Sequence, residues 1–536
     1  MLETPSVQSE RASKPALRSW VVPGILLAFS ALYLSTTLLR AHEKLFWYDE
    51  IFTVLECRLS PAAEWQALTH AVDQNPPPFY LVTQASEWLF GGNEIGARMP
   101  EILAFWILSL CLFSYVRRIA GTAAGFTAMA LPMLTGAYYY AYEARPHGLV
   151  LGFAGLCLIC WRTANTSGRR RALWWTAFAA CLFGALMMHC YALLLAVPFA
   201  IAEIVRSAMD KRIRIRVWLA LVLPIIAACA LYVPLYIGYR HAVAGTDFIA
   251  TFPPSVRQLR GFYAFLLAPC LIVLLLLLVT VAIGHPRSAE DTGGNRGGRS
   301  MLEPAVLACG FLALPLFGIV LGKMVHGPFF GRYFLSAVVG VSILAALAIH
   351  GALRPRFRSG FAVFMAFALA VQAASLLHHR FISHVGELII EPSSKLQLET
   401  CPPTSTFSNK LFQVAAAGTG PIVIANSLEY IHFLYYRPGL RQRLYPITQD
   451  CKTDDLCRLY ANLQRWVHVA GNPEENDRQF IASHKRFWLY GQSPHWLLVF
   501  TRNDHVRITR LMRRGGHYLA QVERSDSNSP VSSRAQ

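Results

Sequence analysis

The feature that most constrains this chain is a regular alternation of basic clusters with long apolar stretches over its first 378 residues. A membrane-spanning helix needs roughly 20 apolar residues, and most stretches between consecutive clusters are about twice that length. Each interval therefore holds two crossings, and all the clusters can lie in the cytoplasm. The clusters are Arg11, Lys14, Arg18; Arg117, Arg118; Arg162, Arg169, Arg170, Arg171; Arg206, Lys211, Arg212, Arg214, Arg216; Arg287, Arg296, Arg299; and Arg354, Arg356, Arg358.

Composition supports a polytopic membrane protein. Hydrophobic residues make up 54% of the chain and charged residues only 15%, which is atypical of a soluble enzyme. The net charge of +18 would by itself suggest a nucleic-acid partner. Because the positive charges lie in the short breaks between apolar stretches, we predict contact with a membrane and no nucleic-acid partner.

We predict a polytopic α-helical membrane protein with about 11 spans. With the N-terminus in the cytoplasm, the segments 41–99, 139–145, 238–260, 323–332 and everything after 378 face outward. A tight hairpin at His189 separates two short spans. The predicted spans are 20–40, 100–116, 121–138, 146–161, 172–188, 190–205, 217–237, 261–284, 304–322, 333–353 and 361–377.

The domain organisation follows from this pattern. We predict a cytoplasmic tail over 1–19, a transmembrane catalytic domain over 20–378 with its first outward loop at 41–99, an outward α/β domain over 379–524, and a disordered tail over 525–536. In the α/β domain, strands are predicted at 421–426, 486–490 and 495–500, and helices at 428–436 and 454–466. The domain lacks a Gly-rich phosphate loop, so nucleotide binding is not predicted there.

An acidic pair, Asp49 and Glu50, follows Phe46, Trp47 and Tyr48 where the chain leaves the first span. A carboxylate among aromatic side chains at an interface loses hydration and becomes more basic, which suits it to accept a proton from a hydroxyl group. The alternative is a solvated acidic pair in the first turn of an amphipathic helix.

Farther along the same loop, Asn75 precedes three prolines, Phe79 and Tyr80. The prolines, Pro77 among them, predict an extended, rigid turn. The apolar stretch that follows, to Phe90, is too short to cross and is expected to lie along the membrane surface. Arg98 then opens the next span at the outer interface.

Two later outward turns carry charges among aromatic residues. In the first turn, Glu143 and Arg145 either face a cavity or form a structural ion pair. In the second, Arg332 and Tyr333 begin a late span, and Arg332 either clamps a phosphate or extends towards lipid headgroups.

The ordered series of these motifs resembles the GT-C glycosyltransferases. It is most similar to the protein O-mannosyltransferase and lipid A aminoarabinose transferase group, which comprises family 39 and its bacterial relatives. The resemblance covers about residues 20–378. The motifs that carry it are Tyr48-Asp49-Glu50, Asn75 to Tyr80, Phe90-Gly91, Arg98-Met99-Pro100 and Arg332-Tyr333.

The resemblance implies an integral membrane glycosyltransferase that moves a sugar from a polyprenyl-phosphate donor to a lipid, polysaccharide or protein acceptor outside the inner membrane, with inversion. It implies catalytic roles for Asp49, as the general base, and Glu50. It implies that Arg332 neutralises the phosphate leaving group. Substrate-binding roles are expected for Arg98, Glu143, Arg145, Arg332, Tyr333, Pro77 and Tyr80.

Several alternatives remain open from the sequence. A multi-pass transporter or lipid flippase also has many spans and a charged cavity, although no internal repeat is found. A sensor with an outward domain, and an O-antigen ligase or polymerase, are further alternatives. No cofactor is certain. A divalent metal ion is possible if Asp49, Glu50, Glu143, His189 and His326 meet in space, although no ligand spacing demonstrates it.

Overall fold

A computed structural model describes most of the chain. The residues it describes are 16–243, 253–283, 295–325, 329–353, 355–381, 410–425, 427–446, 466, 477–491, 506–514 and 517–524.

The membrane part of the chain is a bundle of α-helices. Between α1 and α5 lies a segment, residues 44–93, that is called the first loop below. The helices are α1 Ala16–Glu43, α2 Tyr48–Cys57, α3 Pro61–Thr69, α4 Pro77–Phe90, α5 Glu94–Ala120, α6 Thr122–Ala130, α7 His147–Thr166, α8 Arg171–Met188, α9 Ala196–Asp210, α10 Ile215–Val243, α11 Val256–Leu267, α12 Leu271–Ile283, α13 Asn295–Leu312, α14 Leu314–Val325, α15 Ala337–Ala352 and α16 Pro355–Phe381.

The prediction of a polytopic membrane protein is confirmed. Eight helical segments of the described residues are long and apolar enough to cross a membrane, and the bent pair α13–α14 would be a ninth. Each of the eleven predicted spans coincides with an apolar helix, but two of these, Thr122–Leu134 and Ala337–Ala352, are shorter than a full span. In the first case, Pro132 lies in a 3₁₀ turn that ends α6 early. The break predicted at His189 is also present, between Met188 and Cys190.

Helices α5 and α7 pack closely against each other. Gly148 and Gly152 lie one turn apart on α7 and face α5. A Cβ atom at Gly148 would lie 2.7 Å from the Cβ of Glu101, and one at Gly152 would lie 2.8 Å from that of Ala104. Small residues at this spacing let two helix backbones approach closely in a membrane.

The first loop folds into three short helices rather than an irregular segment. Ser60 caps α3, and Asn93 caps α5 by accepting hydrogen bonds from two backbone N–H groups at its start. The prediction of an extended turn at the three prolines is only partly right. Pro76 is extended, but Pro77 opens α4, because proline fits the first helical turn, where no amide donor is required.

The C-terminal part contains a five-stranded mixed sheet of order β2-β1-β3-β5-β4. β1 is parallel to β2 and β3, whereas β5 is antiparallel to β3 and β4. The elements are α17 Lys410–Ala417, β1 Ile422–Ile424, α18 Ser427–Tyr436, β2 Leu444–Pro446, α19 Asp477–Ser483, β3 Arg486–Gly491, β4 Val506–Arg514 and β5 His517–Arg524.

A small soluble domain of α/β character is thereby confirmed. The predicted strands at 421–426 and 486–490 match β1 and β3, and the predicted helix at 428–436 matches α18. β2, β4 and β5 were not predicted. The predicted strand at 495–500, nearly all of the predicted helix at 454–466, and the tail at 525–536 lie outside the described residues.

Candidate active site

An ion pair between Asp49 and Arg332 marks the accessible part of the site. Asp49 lies in the first turn of α2, and Arg332 lies in the 3₁₀ turn Gly331–Phe334 before α15. The carboxylate Oδ2 of Asp49 is 3.3 Å from Nη2 of Arg332, and the two side chains remain 21% and 13% exposed. Both groups can therefore still reach a substrate.

Aromatic rings surround the Arg332 guanidinium. Its Cζ lies 5.1 Å from the ring centre of Phe330, 5.8 Å from that of Trp47 and 5.9 Å from that of Tyr333. Such rings attract a cation and restrict its motion. Aromatic residues from two segments of the chain therefore enclose this cation.

Glu50, next to Asp49, lies in a very different environment. It is fully buried and accepts two hydrogen bonds from Arg98, at 2.7 and 2.8 Å. The backbone N–H groups of Ala144 and Trp47 also donate to its carboxylate. Burial acts to raise the pKa of Glu50, but the charges of Arg98 and Lys44 outweigh that effect, so its pKa is lower than usual.

Arg98 completes this buried centre. Its side chain is fully buried, and it also donates to three backbone carbonyl groups: that of Ala41 in the last turn of α1, and those of Lys44 and Leu45 at the start of the first loop. The carbonyls at a helix C-terminus lack intrahelical partners, so Arg98 ties α1, α5 and the first loop together. This geometry favours positioning roles for Glu50 and Arg98 over the direct roles that the resemblance implies.

Lys44 and Glu143 form a second ion pair beside Glu50. Nζ of Lys44 is 3.1 Å from Glu143 and 3.9 Å from Glu50, and it lies 4.1 Å from the ring centre of Tyr139. Burial raises the pKa of Glu143 to about 7, although the charge of Lys44 opposes the shift. Glu143 therefore takes up or releases a proton near neutral pH.

This shift predicts a pH-dependent stability. The folded protein binds a proton at Glu143 that the unfolded chain releases between about pH 4.5 and pH 7, so stability falls as the pH rises through that window. The slope is at most about 1.4 kcal/mol per pH unit. We expect Glu143→Gln to reduce the dependence of the melting temperature on pH in this window. Differential scanning fluorimetry of the purified protein at several pH values measures it.

The exposed carboxylate of Asp210, which pairs with Arg214 at the end of α9, provides the control. Asp210→Asn should leave the dependence of the melting temperature on pH unchanged. If the melting temperature of Glu143→Gln depends on pH as steeply as that of the wild type, Glu143 is not the group that binds the proton.

Arg145 pairs with Asp73 on the other side of α2. Nη1 of Arg145 lies 2.7 Å from Oδ2 of Asp73 and also donates to Oγ1 of Thr53 and the carbonyl of Asp49. Tyr80 donates to Asp73 at 2.7 Å. Burial acts to raise the pKa of Asp73, but Arg145 and Tyr80 lower it below its usual value. Arg145 thus holds the backbone of Asp49 in place.

Neutral histidine and tyrosine rings line the bundle beside Arg332. Measured between ring centres, His189 lies 4.7 Å from Tyr333 and 5.4 Å from His147, and Tyr191 packs against Tyr333 at 4.3 Å with its ring tilted. Burial, together with the charges of Arg145 and Arg332, lowers the pKa of His189 to about 3. His189 is therefore uncharged at neutral pH and does not compete with Arg332 for an anion.

The structure thus brings the predicted residues of three separate turns to one region. Glu143 and Arg145 do not pair with each other, since each finds a partner in the first loop or next to it. Two charged residues of the site, Lys44 and Asp73, were not predicted. Asp73 stands two positions before Asn75, and an acid beside the proline motif was the available signal.

The possible metal site gains no support from the described part of the chain. There, no group of three or more His, Cys, Asp or Glu side chains is arranged to hold a metal ion. His326, one of the residues considered, lies outside the described residues.

The fold and one sequence comparison identify the protein's relatives. The computed structure matches the crystal structure of ArnT from Cupriavidus metallidurans in the apo state, with a TM-score of 0.59 and 15% identity over 94% of this chain and 98% of that one. It also matches ArnT from the same organism bound to undecaprenyl phosphate, with a TM-score of 0.58 and 17% identity over 96% and 100% of the two chains. The chain has the fold of ArnT. The fold that the motif resemblance implies is confirmed.

A family model described as dolichyl-phosphate-mannose-protein mannosyltransferase matches residues 74–236. This match includes Tyr80, Arg98, Glu143 and Arg145 and ends before Arg332. No curated protein matches the sequence.

Proposed function

We propose that this protein is an inverting membrane glycosyltransferase that uses a polyprenyl-phosphate-linked sugar. The pairing of Asp49 with Arg332 is the observation that carries the proposal. It places one accessible carboxylate next to one accessible guanidinium, and a single-displacement transfer needs a base for the acceptor and a cation for the leaving phosphate. The ArnT fold, known in a complex with undecaprenyl phosphate, supports the lipid carrier.

The proposed reaction exchanges the partners of this ion pair. The donor phosphate binds the Arg332 guanidinium, which leaves Asp49 free to accept the proton of the acceptor hydroxyl group. The acceptor oxygen attacks the anomeric carbon of the sugar, and the bond from that carbon to the phosphate oxygen breaks. The bonding electrons leave with the polyprenyl phosphate, whose negative charge Arg332 stabilises.

A single displacement inverts the anomeric carbon, and the environment of the two acids supports this outcome. A retaining double displacement requires two reactive groups, one that attacks the sugar and another that acts as the base. Glu50, the carboxylate next to Asp49 in sequence, is fully buried and satisfied by Arg98 and two backbone N–H groups. Only Asp49 of the pair is left to act at the site.

We place this site at the outer face of the inner membrane. Basic clusters lie at the opposite ends of the spans, which favours a cytoplasmic location for those ends and for the N-terminus. The soluble domain that follows residue 378 then lies on the periplasmic or extracellular side, together with the site. A carrier lipid suits such a site, because its tail stays in the bilayer while the phosphate and the sugar reach water.

The proposal is tested with membranes that contain the wild-type chain and radiolabelled polyprenyl phosphate sugars, with a hexose and an aminopentose as separate donors. We expect label to leave the lipid fraction with one donor and to appear in an acceptor. Label that stays on the lipid but moves between leaflets would instead establish a flippase. Label that neither leaves the lipid nor moves would contradict both functions.

Arg332 gives a second prediction about the donor. Arg332→Gln removes the guanidinium that stabilises the leaving phosphate, and we expect a loss of about 100-fold in kcat/KM for the lipid donor. The KM for the acceptor should change much less. Steady-state transfer rates with each substrate varied in turn measure both effects.

Arg58 provides the matched control for this variant. Its half-exposed side chain pairs with the buried carboxylate of Glu87 in the first loop. Glutamine keeps an N–H donor for Glu87 and changes no group of the site, so Arg58→Gln should retain nearly full activity. Unchanged donor saturation in Arg332→Gln would indicate that Arg332 only extends towards lipid headgroups.

A further inference from the structure

The soluble domain holds the segment that leads into the acidic pair. Helix α18 presents His432 and Tyr436 one turn apart on the same face. The backbone N–H of Phe46 donates to the Tyr436 hydroxyl at 2.8 Å, and the backbone carbonyl of Phe46 accepts from Nε2 of His432 at 2.9 Å. Residues almost 400 positions away in sequence thus satisfy both backbone groups of Phe46.

The ring of Phe46 is held from two sides as well. Tyr435 of α18 packs edge-on against it with ring centres 5.5 Å apart, and the guanidinium of Arg98 lies 4.8 Å from its centre. Phe46 is fully buried as a result. The Tyr436 hydroxyl also donates to Glu94 at the start of α5, at 3.0 Å. One hydroxyl group therefore connects the first loop, α5 and the soluble domain.

The contacts of Phe46 immediately precede the acidic pair in the sequence. Trp47, the next residue, precedes α2, and its backbone N–H donates to Glu50. Phe46 itself lies between α1 and α2, outside any helix or strand. A buried backbone group needs a hydrogen-bond partner, and Phe46 has none within a helix or strand. The side chains of α18 supply these partners.

We propose that His432 and Tyr436 are positioning residues, and that through Phe46 the soluble domain fixes the start of α2 so that Asp49 faces Arg332. The catalytic part of this inference rests on the proposed transferase function. It gives the soluble domain a role in turnover: the domain completes the first loop. The competing explanation is that the same bonds only attach one domain to the other.

Substitutions that remove these hydrogen bonds one side chain at a time separate the two explanations. Tyr436→Phe removes the acceptor of the Phe46 N–H but keeps the ring, and His432→Leu removes the donor to the Phe46 carbonyl. His432→Gln returns an N–H donor at about the same reach and should restore function. Tyr430→Phe is the matched control, because Tyr430 lies on the same helix but interacts with Arg441 and Tyr445 of the soluble domain.

Hydrogen–deuterium exchange of the full-length protein in nanodiscs tests the contact without depending on activity. We expect the peptide that covers residues 44–50 to exchange at least about tenfold faster in Tyr436→Phe and His432→Leu, and at the wild-type rate in Tyr430→Phe and His432→Gln. Unchanged exchange in both Tyr436→Phe and His432→Leu would overturn the inference.

Steady-state transfer tests the catalytic part. A displacement of about 1 Å in a catalytic group can cost about 100-fold in rate, so we expect kcat to fall by tenfold or more in the two disrupting variants. The KM for the lipid donor should stay within about twofold, because Arg332 comes from another segment. Faster exchange with an unchanged kcat would mean that the bonds only attach the domains.

The two proposals fail in different ways. If the wild-type chain transfers no sugar from any donor, the proposed function is wrong and the positioning of Asp49 for transfer is wrong with it. Even then, the exchange experiment decides whether α18 holds Phe46. If the wild type is active and Tyr436→Phe matches Tyr430→Phe in both measurements, only the positioning role is wrong.

Discussion

Replacing Asp49 by asparagine is expected to reduce sugar transfer by at least about 100-fold, and up to about 10,000-fold, while the protein still inserts into the membrane. The asparagine side chain would keep the size of the original and an oxygen that Arg332 can approach, but an amide does not take up the proton of the acceptor hydroxyl group. The measurement is single-turnover transfer from a radiolabelled polyprenyl phosphate sugar, which isolates the chemical step from product release.

Two further variants make this result specific. Asp210→Asn introduces the same chemical change at the end of α9, far from the proposed base, and should retain full activity. Asp49→Glu keeps a carboxylate on a longer side chain and should recover part of the rate. Full activity of Asp49→Asn would rule out Asp49 as the base. Asp73 and Glu143 would then be the next candidates for that role.

The sequence predicted the membrane architecture because its signal is local. Hydropathy and the placement of arginine and lysine are read within a window of about 20 residues, and a span has to be apolar throughout. The eleven predicted stretches therefore coincide with apolar helices. The error at Pro77 is of a different kind, since a proline-rich turn and the first turn of a helix share the same backbone angle at proline.

The sequence alone does not predict which charged residues of the site pair with each other. Asp49 and Glu50 are adjacent carboxylates, yet one is accessible and the other is fully buried, and the contacts of Glu50 with Arg98 and Ala144 account for the difference. Likewise, the closeness of Glu143 and Arg145 in sequence suggests an ion pair between them, but Glu143 pairs with Lys44 and Arg145 pairs with Asp73. A local pattern identifies charged residues, whereas tertiary contacts select their partners.

The second large effect is expected at Arg98, where the loss concerns folding rather than chemistry. Arg98→Leu would leave the buried carboxylate of Glu50 without its hydrogen-bonded cation, with only Lys44 at 3.9 Å remaining, and three backbone carbonyls without their donor. Removing one partner of a buried ion pair typically costs about 3–5 kcal/mol. We expect a large drop in the yield of folded protein and in its melting temperature in detergent.

Glu50→Gln tests the same centre from the other side. One carboxylate oxygen is replaced by an amide NH2 group, which would face N–H donors, and the buried Arg98 guanidinium loses its anion, although it keeps three backbone carbonyl acceptors. We therefore expect a lower melting temperature and a lower yield of folded protein for this variant as well.

Arg118 is the control for Arg98, because it lies on the same helix but is exposed near the C-terminal end of α5. Arg118→Leu should leave folding nearly unchanged, within about 0.5 kcal/mol. If Arg98→Leu folds as well as Arg118→Leu, the buried centre does not hold the first loop in place. Asp49 would then owe its position to the Arg145–Asp73 pair and to the contacts of Phe46 with the soluble domain.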